Sequence, residues 1–196
     1  MDIKANDVKK LRDLTGAGMM DAKKALSEAE GDVEKALAIL KEKGAALAES
    51  KSDRATSQGM IATYIHPGDK IGAMVEVNCE TDFVARGEDF KKLVRQIALH
   101  VAGMRPLYIS PEDVPAEVLD AEKELYRSQA ADRSKGTVDK TVAGKLEGFY
   151  ESVCLLRQPF VLEPEKKMED LINEVVGVVK ENIKVARFVR FEVGDR

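Results

Sequence analysis

The sequence contains no tryptophan, only two histidines and two cysteines, and aromatic residues make up 5% of its 196 positions. Each scarcity closes off a class of function. Cys79 and Cys154 stand far apart with no C-x-x-C spacing, which excludes a recognisable zinc site and argues against a disulfide framework. No apolar run approaches the roughly 18 residues that a membrane-spanning helix requires. The opening stretch Met1–Lys10 is polar and helical in character, which is not the pattern of a secretory leader. Basic residues are in deficit too, with 31 Lys and Arg against 35 Asp and Glu. Neutralising a nucleic-acid backbone wants a basic stripe or excess, so RNA and DNA are poor expectations as partners. These absences predict a cytoplasmic protein that engages neither nucleic acid nor membrane and carries no metal and no cofactor.

What is present is a globular balance, 44% hydrophobic and 34% charged, with room for roughly one to two domains. With so few aromatics the core must rest on Val, Leu, Ile, Ala and Met, which suits helices packed on a small sheet. An aromatic in an exposed loop stands out against that background.

Three short helices are expected in the N-terminal quarter. Val8, Leu11 and Leu14 recur every three residues until Thr15-Gly16. A second run, about Met19–Ala29, buries Met19 or Met20 with Ala22, Ala25, Leu26 and Ala29. Asp32 is a good N-cap for a third, in which Val33, Ala36, Leu37 and Leu40 follow the i, i+3, i+4, i+7 pattern, and Gly44 supplies a C-terminal stop. A bundle this small needs help from a partner or a neighbouring domain. Residues 45–58 lose the apolar period and read as a linker, helical in its first turn at most, that leaves the bundle free to take more than one orientation. The organisation expected is therefore residues 1–44 as a three-helix docking domain, 45–58 as a linker and 59–196 as an α+β core.

In that core, Met60–His66 and Ile71–Asn78 read as strands around a Pro67-Gly68-Asp69 turn, with Ile71, Ala73, Val75 and Val77 on one face. A helix follows with Phe90, Leu93, Val94, Ile97, Ala98 and Val101 in one stripe. Ser110-Pro111 and Val114-Pro115 read as helix starts, Leu125 and Tyr126 lying on the second. A further helix carries Val142, Leu146, Phe149, Tyr150 and Val153, and another runs Met168–Lys180. The chain closes on a strand in which Val185, Val189, Phe191 and Val193 alternate. That strand is expected to join the hairpin in a three-stranded antiparallel sheet covered by helices. No internal repeat is evident.

A catalytic set is hard to assemble. His66 sits at a turn and His100 late on a helix, each better read as an ordinary surface or core histidine. In the expected hairpin His66 lies opposite Ile71, so Cys79 is roughly 26 Å from it at the rise of a β-strand, and a thiol–imidazole dyad fails. Thr15-Gly16-Ala17-Gly18 has no following Lys-Ser or Lys-Thr, and Asp21 stands where G-x-G-x-x-G needs glycine; a tight turn is the simpler reading. Met19-Met20 cannot both face one core, because adjacent helical positions diverge by about 100°. An exposed Met beside Lys9 and Arg12 suits a protein-binding face. The stretch Glu76–Arg86 is the most informative. Thr81 and Asp82 read as cap residues, so Phe83 and Val84 sit where strand gives way to helix. Phe83 either folds back as a staple on the helix or projects as a wedge for a partner.

Two blocks carry a resemblance: Leu11-Arg12-Asp13-Leu14-Thr15-Gly16-Ala17-Gly18-Met19-Met20-Asp21, and Glu76-Val77-Asn78-Cys79-Glu80-Thr81-Asp82-Phe83-Val84-Ala85-Arg86. In this order and at this separation they resemble the signatures of the elongation factor Ts family, and the resemblance runs over nearly the whole chain, beginning with a ubiquitin-associated-like bundle. It implies a guanine-nucleotide exchange factor, not an enzyme, that acts on GDP-bound elongation factor Tu in translation elongation. It implies that Thr81, Asp82, Phe83 and Val84 form the element that inserts into the GTPase and dislodges the groups holding Mg²⁺ and the phosphates. Lys9, Leu11, Arg12, Met19 and Met20 gain a docking role by the same resemblance. The chain has length for one core unit, as in the family's short form, which implies a homodimer and a two-plus-two assembly, with no disulfide in the last strand. Competing readings are a ubiquitin-associated-type binding module, which leaves the larger domain idle, and a small enzyme, which lacks its residues.

Overall fold

The computed structural model describes residues 3–129 and 135–195, so Met1 and Asp2 of the polar opening stretch lie outside the described residues. The chain begins with α1 (Ala5–Thr15), α2 (Met19–Glu28) and α3 (Val33–Lys51). Val8, Leu11, Ala22, Ala25, Leu26, Ala29 and Ala36 pack into a small core among them. Gly16 ends α1 in the left-handed conformation at φ 68°, a backbone that glycine adopts without steric cost. The Asp32 carboxylate accepts from the Glu34 and Lys35 N–H groups, the N-cap expected of it.

Two expectations for the bundle fail. Leu14 is 62% exposed, and so are both methionines, Met19 at 52% and Met20 at 64%. The three-residue spacing drifts around a helix of 3.6 residues per turn, and the alanines of α2 fill the space that a methionine was expected to take. The stop at Gly44 also fails, because α3 continues through it to Lys51. Gly44 answers a different demand: a Cβ there would stand 3.0 Å from the Asn173 carbonyl oxygen, and a Cβ on Gly177 would stand 3.4 Å from the Gly44 Cα. Smallness, not conformational freedom, is what this position needs. Much of the expected linker is therefore helix, and Leu47 and Ala48 pack on the larger core.

The core of the chain opens with β1 (Gln58–Ile65) and β2 (Ile71–Cys79), followed by α4 (Asp82–Ala85) and α5 (Glu88–Met104). The hairpin register pairs Ile65 with Gly72, and the His66 N–H donates to the Ile71 carbonyl at 2.9 Å, as expected. Ser110-Pro111 starts only a short 3₁₀ turn, after which α6 (Ala116–Gln129) and α7 (Lys135–Val153) run back along each other. A small hairpin that the sequence did not announce, β3 (Pro159–Phe160) with β4 (Glu163–Lys167), leads to α8 (Met168–Val179) and β5 (Ile183–Glu192).

Strand order in the three-stranded sheet is β1-β2-β5, antiparallel throughout. Its inner face packs against α5 and α8, where Val75, Val77, Phe90, Leu93, Val94, Ile97, Met168 and Ile183 form a continuous core. A bulge falls opposite Glu76 and Val77, where Arg187 and Val185 are successive partners. An extra residue reverses which side chains face inward. Val185 and Phe188 therefore pack on the core, while Val189, Phe191 and Val193 turn outward and stand exposed.

His100 is buried at the far end of α5 and, among the described residues, forms no ion pair. The Val161 N–H donates to its Nδ1 at 3.2 Å, so the neutral ring carries its proton on Nε2 and shares it with Gln158 Oε1 at 3.0 Å. Gln158 in turn donates to the Met104 and Ser152 carbonyls. This is a satisfied core histidine, not a general base.

Candidate partner-binding site

The turn between β2 and α5 is held almost everywhere except at Phe83. A four-residue helix cannot stand alone, because nucleation costs more than one turn returns. Its supports are therefore the interesting part. Thr81 is the N-cap: its Oγ1 accepts from the Val84 N–H at 3.3 Å. The Glu181 carboxylate accepts twice from Thr81, from the backbone N–H at 3.0 Å and from the hydroxyl at 2.7 Å. Beneath, the Cys79 thiol donates to the Thr81 carbonyl at 3.2 Å. Val84 points into the core and is 7% exposed.

Phe83 projects from this support: the residue is 83% exposed. It does not fold back as a staple on α5, whose first large apolar residue, Phe90, is buried beneath the sheet instead. Asp82 is exposed beside it and paired with Arg86 at 2.6 Å, an i, i+4 contact at the surface. Such an exposed pair contributes little and exchanges readily for another partner. Phe83, Val84, Arg86, Asp89, Val178 and Val179 surround a shallow groove.

The electrostatics of the turn are those of a scaffold. The Glu80 carboxyl is held below the usual range, chiefly by the hydrogen bond from the Asn182 N–H and then by Arg54. Burial pushes the Cys79 thiol up to about 11, with Glu181 and Glu80 adding to the effect. Cys154 is likewise pushed up to about 11 by burial. Neither thiol is poised as a nucleophile. Both are free and buried, and among the described residues no group of three or more His, Cys, Asp or Glu could hold a metal ion.

Lys9, Arg12, Met19 and Met20 form an exposed set on the bundle, which leaves them accessible. Leu11 does not belong to it. Its side chain is fully buried among α1, α2 and α3, where it supports the face from below and cannot touch a partner directly. The bundle and the Phe83 turn meet at the C-terminal end of α8. Val178 lines the Phe83 groove and also a cleft of about 240 Å³ against Leu14, Ala17 and Leu40. The Lys180 ammonium reaches Asp21 of α2 at 3.2 Å.

The sequence singles out Thr81–Val84 but carries no sign of what holds them. Glu181 and Asn182 lie far along the chain in a polar turn after α8. Asn182 is buried, and its amide donates to the Ser52 and Arg54 carbonyls. Nothing local in Lys180-Glu181-Asn182 marks those contacts. A buried asparagine becomes conspicuous only once the fold has closed over it.

Comparison with known proteins agrees with this architecture. The family model described as Elongation factor TS matches residues 3–195. A protein of Coprothermobacter proteolyticus named Elongation factor Ts is 56% identical over 197 residues, covering 100% of both chains. One of the same name from Thermotoga sp. (strain RQ2) is 52% identical over 195 residues, covering 100% of this chain and 98% of its own. Another from Moorella thermoacetica is 52% identical over 195 residues, covering 98% of this chain and 96% of its own. The match extends from the bundle through the Phe83 turn to the final strand, and the chain belongs to the elongation factor Ts family.

Proposed function

We propose that this chain promotes release of GDP from elongation factor Tu, as a guanine-nucleotide exchange factor that has no catalytic residue set of its own. The observation that carries the reading is Phe83, an 83% exposed aromatic on a turn anchored at Thr81 and Val84. A large ring displayed on a rigid support loses little entropy on binding, and aromatics at the centre of an interface are the residues that dominate its energetics.

In this reading Asp82 and Phe83 insert between helices of the GTPase and displace the groups that hold Mg²⁺ and the phosphates. Mg²⁺ and the phosphate-binding loop supply much of a nucleotide's affinity, so disturbing them weakens GDP without any contact to GDP itself. Linkage then requires GDP to weaken the exchange factor by the same factor, and entering GTP drives it off. Thr81 and Val84 act as anchors of the inserted element. The bundle, residues 1–44, docks on the nucleotide-binding domain through Lys9, Arg12, Met19 and Met20, with 45–58 joining it to the core of 59–196. In this reading the protein acts in the cytoplasm, where translation elongation takes place.

The reading includes a homodimer in a two-plus-two assembly with the GTPase. Support comes from the outer face of the sheet, where Ile61, Ile65, Met74, Val189 and Phe191 are all exposed. A contiguous apolar sheet face of this kind marks an interaction surface, and a second copy would cover it with the same residues.

The deciding experiment is release of a fluorescent GDP analogue from elongation factor Tu, with this protein in catalytic amount. Strong acceleration is expected. An unchanged release rate, with both proteins folded, would leave a family member that binds without exchanging. Light scattering on the eluting protein is expected to give twice the 21.6 kDa chain mass; a stable monomer would remove the dimer from the reading.

A further inference from the structure

We propose that Glu181 is a positioning residue for the Asp82-Phe83 element, acting through Thr81; the proposal rests on the exchange-factor reading above. A single helical turn such as α4 has no orientation of its own, so the direction in which Phe83 points must be imposed from elsewhere. Val84 supplies one fixed point by burial. Glu181 supplies the other. Its two carboxylate oxygens hold the Thr81 N–H at 3.0 Å and the Thr81 hydroxyl at 2.7 Å, fixing the backbone and the side-chain rotamer of one residue together.

The hydroxyl bond sets the cap. A hydroxyl carries one proton and two lone pairs. With the proton given to Glu181, the lone pairs of Thr81 Oγ1 are left for the Val84 N–H, which lies 3.3 Å away. The carboxylate thus orders the N-cap that defines the axis of α4, and Phe83 sits on that axis.

Glu181 is itself delivered from a rigid place. Lys180 before it closes α8 in the left-handed conformation at φ 59°, its N–H donating to the Val176 carbonyl at 2.8 Å. Asn182 after it is buried, and its N–H donates to Glu80 at 2.7 Å. Among the described residues Glu181 forms no salt bridge, and both of its hydrogen bonds go to Thr81. Both bonds are solvent-accessible, so they weigh less on the fold as a whole than on the direction of the turn.

The test is nucleotide release from elongation factor Tu by the full chain, measured across exchange-factor concentration, for Glu181→Ala, Glu181→Gln, Thr81→Val and the Glu181→Ala/Thr81→Val pair. Glu181→Ala is expected to lower the maximal release rate about tenfold, the scale of a charge-assisted hydrogen bond. The half-saturating concentration should change much less, because the docking face of the bundle is untouched. Glu181→Gln, which keeps an acceptor and the shape, is expected to restore most of the rate and also serves if the alanine variant fails to fold. The double variant should lose clearly less than the sum of the two single losses, since the hydroxyl bond is common to both while the bond from the Thr81 N–H survives Thr81→Val.

An unchanged maximal rate in both Glu181 variants would overturn the proposal. Additive losses would also overturn it, pointing to direct contact between Glu181 and the partner. So would losses that match the unfolded fraction read by circular dichroism. Two controls separate this from failure of the underlying reading. If the parent chain does not accelerate release, the exchange-factor reading fails. If the parent accelerates and Phe83→Ala does not, while Glu181→Ala remains fully active, only the positioning role fails.

Discussion

Phe83 and Phe90 lie in the same short stretch of chain, on consecutive helices, and have opposite fates. Phe90 is fully buried under the sheet, packed with Leu93, Val94 and Ile97 of its own stripe. Phe83 stands 83% exposed on a turn braced by Glu181 from below. The difference does not come from the residue type. It comes from periodicity: Phe90 begins a pattern that repeats through a long helix, whereas Phe83 precedes that pattern by one capped turn. The chain buries an aromatic wherever the helical period carries it to the sheet, and displays one where a separate set of hydrogen bonds holds the backbone instead.

The contrast breaks most severely at Phe90. Phe90→Ala leaves a ring-sized cavity in a close-packed core, and a loss of about 3–5 kcal/mol is expected in urea denaturation. Nucleotide release, corrected for folded protein, should stay near the parent level. Phe83→Ala is expected to do the reverse. Exchange should fall about 30- to 1000-fold, the range for a central aromatic hot spot, with a denaturation midpoint close to the parent's. If the isolated Phe83→Ala protein melts as early as Phe90→Ala, the two rings are both structural and the contrast disappears.

The same contrast holds between the two faces of the sheet, and Phe191→Asp sharpens it. Phe191 is 71% exposed on the outer face, opposite Gly72 in the register. A charge there costs an isolated chain little, but a second copy would have to bury it without a partner. Light scattering at micromolar concentration should shift from dimer to monomer while circular dichroism stays unchanged. A dimer that survives the charge places the contact elsewhere.

The smallest effect concerns His100. Burial lowers its pKa below the ordinary 6.5, so the unfolded chain binds the proton more readily than the folded one. Stability tied to the neutral ring is therefore fully present above about pH 6.5 and declines as the pH falls from there toward the folded-state value. Urea denaturation between pH 7.5 and 5.5 should show that decline, and His100→Leu should flatten it although the variant is weaker overall. Exchange at neutral pH should not follow His100, which lies away from the Phe83 turn.

Much of this fold could be read from local pattern. The α5 stripe, the Asp32 cap and the Pro67-Gly68-Asp69 turn follow from spacing and cap chemistry alone, and each stands where the sequence put it. The errors share a cause in long-range contacts. Gly44 looks like a helix stop because glycine usually ends helices, yet here it is small because the backbone of α8 lies against it. The alternation of β5 was legible, but the bulge beside Glu76 and Val77 decides which of its residues face water. The spacing points Leu14 and one of the two methionines inward, but all three are exposed and the core closes on alanines instead. At the candidate site, Thr81–Val84 could be named from the sequence. Whether Phe83 folded back or projected could not, because Glu181 enters from the other end of the chain.

The crossing of α3 over α8 decides where the protein can be cut. At Gly44 and Gly177 the two backbones nearly touch, and beyond that point α3 contributes Leu47 and Ala48 to the larger core. Scission at residue 44 would leave each fragment with half of a helix and strip the larger one of its continuous cover. The seam that respects the packing runs later, after Lys51, where α3 ends and the chain passes through Ser52 and Arg54 to β1. Even there Asn182 grips both carbonyls, so a bundle excised at that seam would leave the acceptors of a buried amide on a free chain end in the piece that remains.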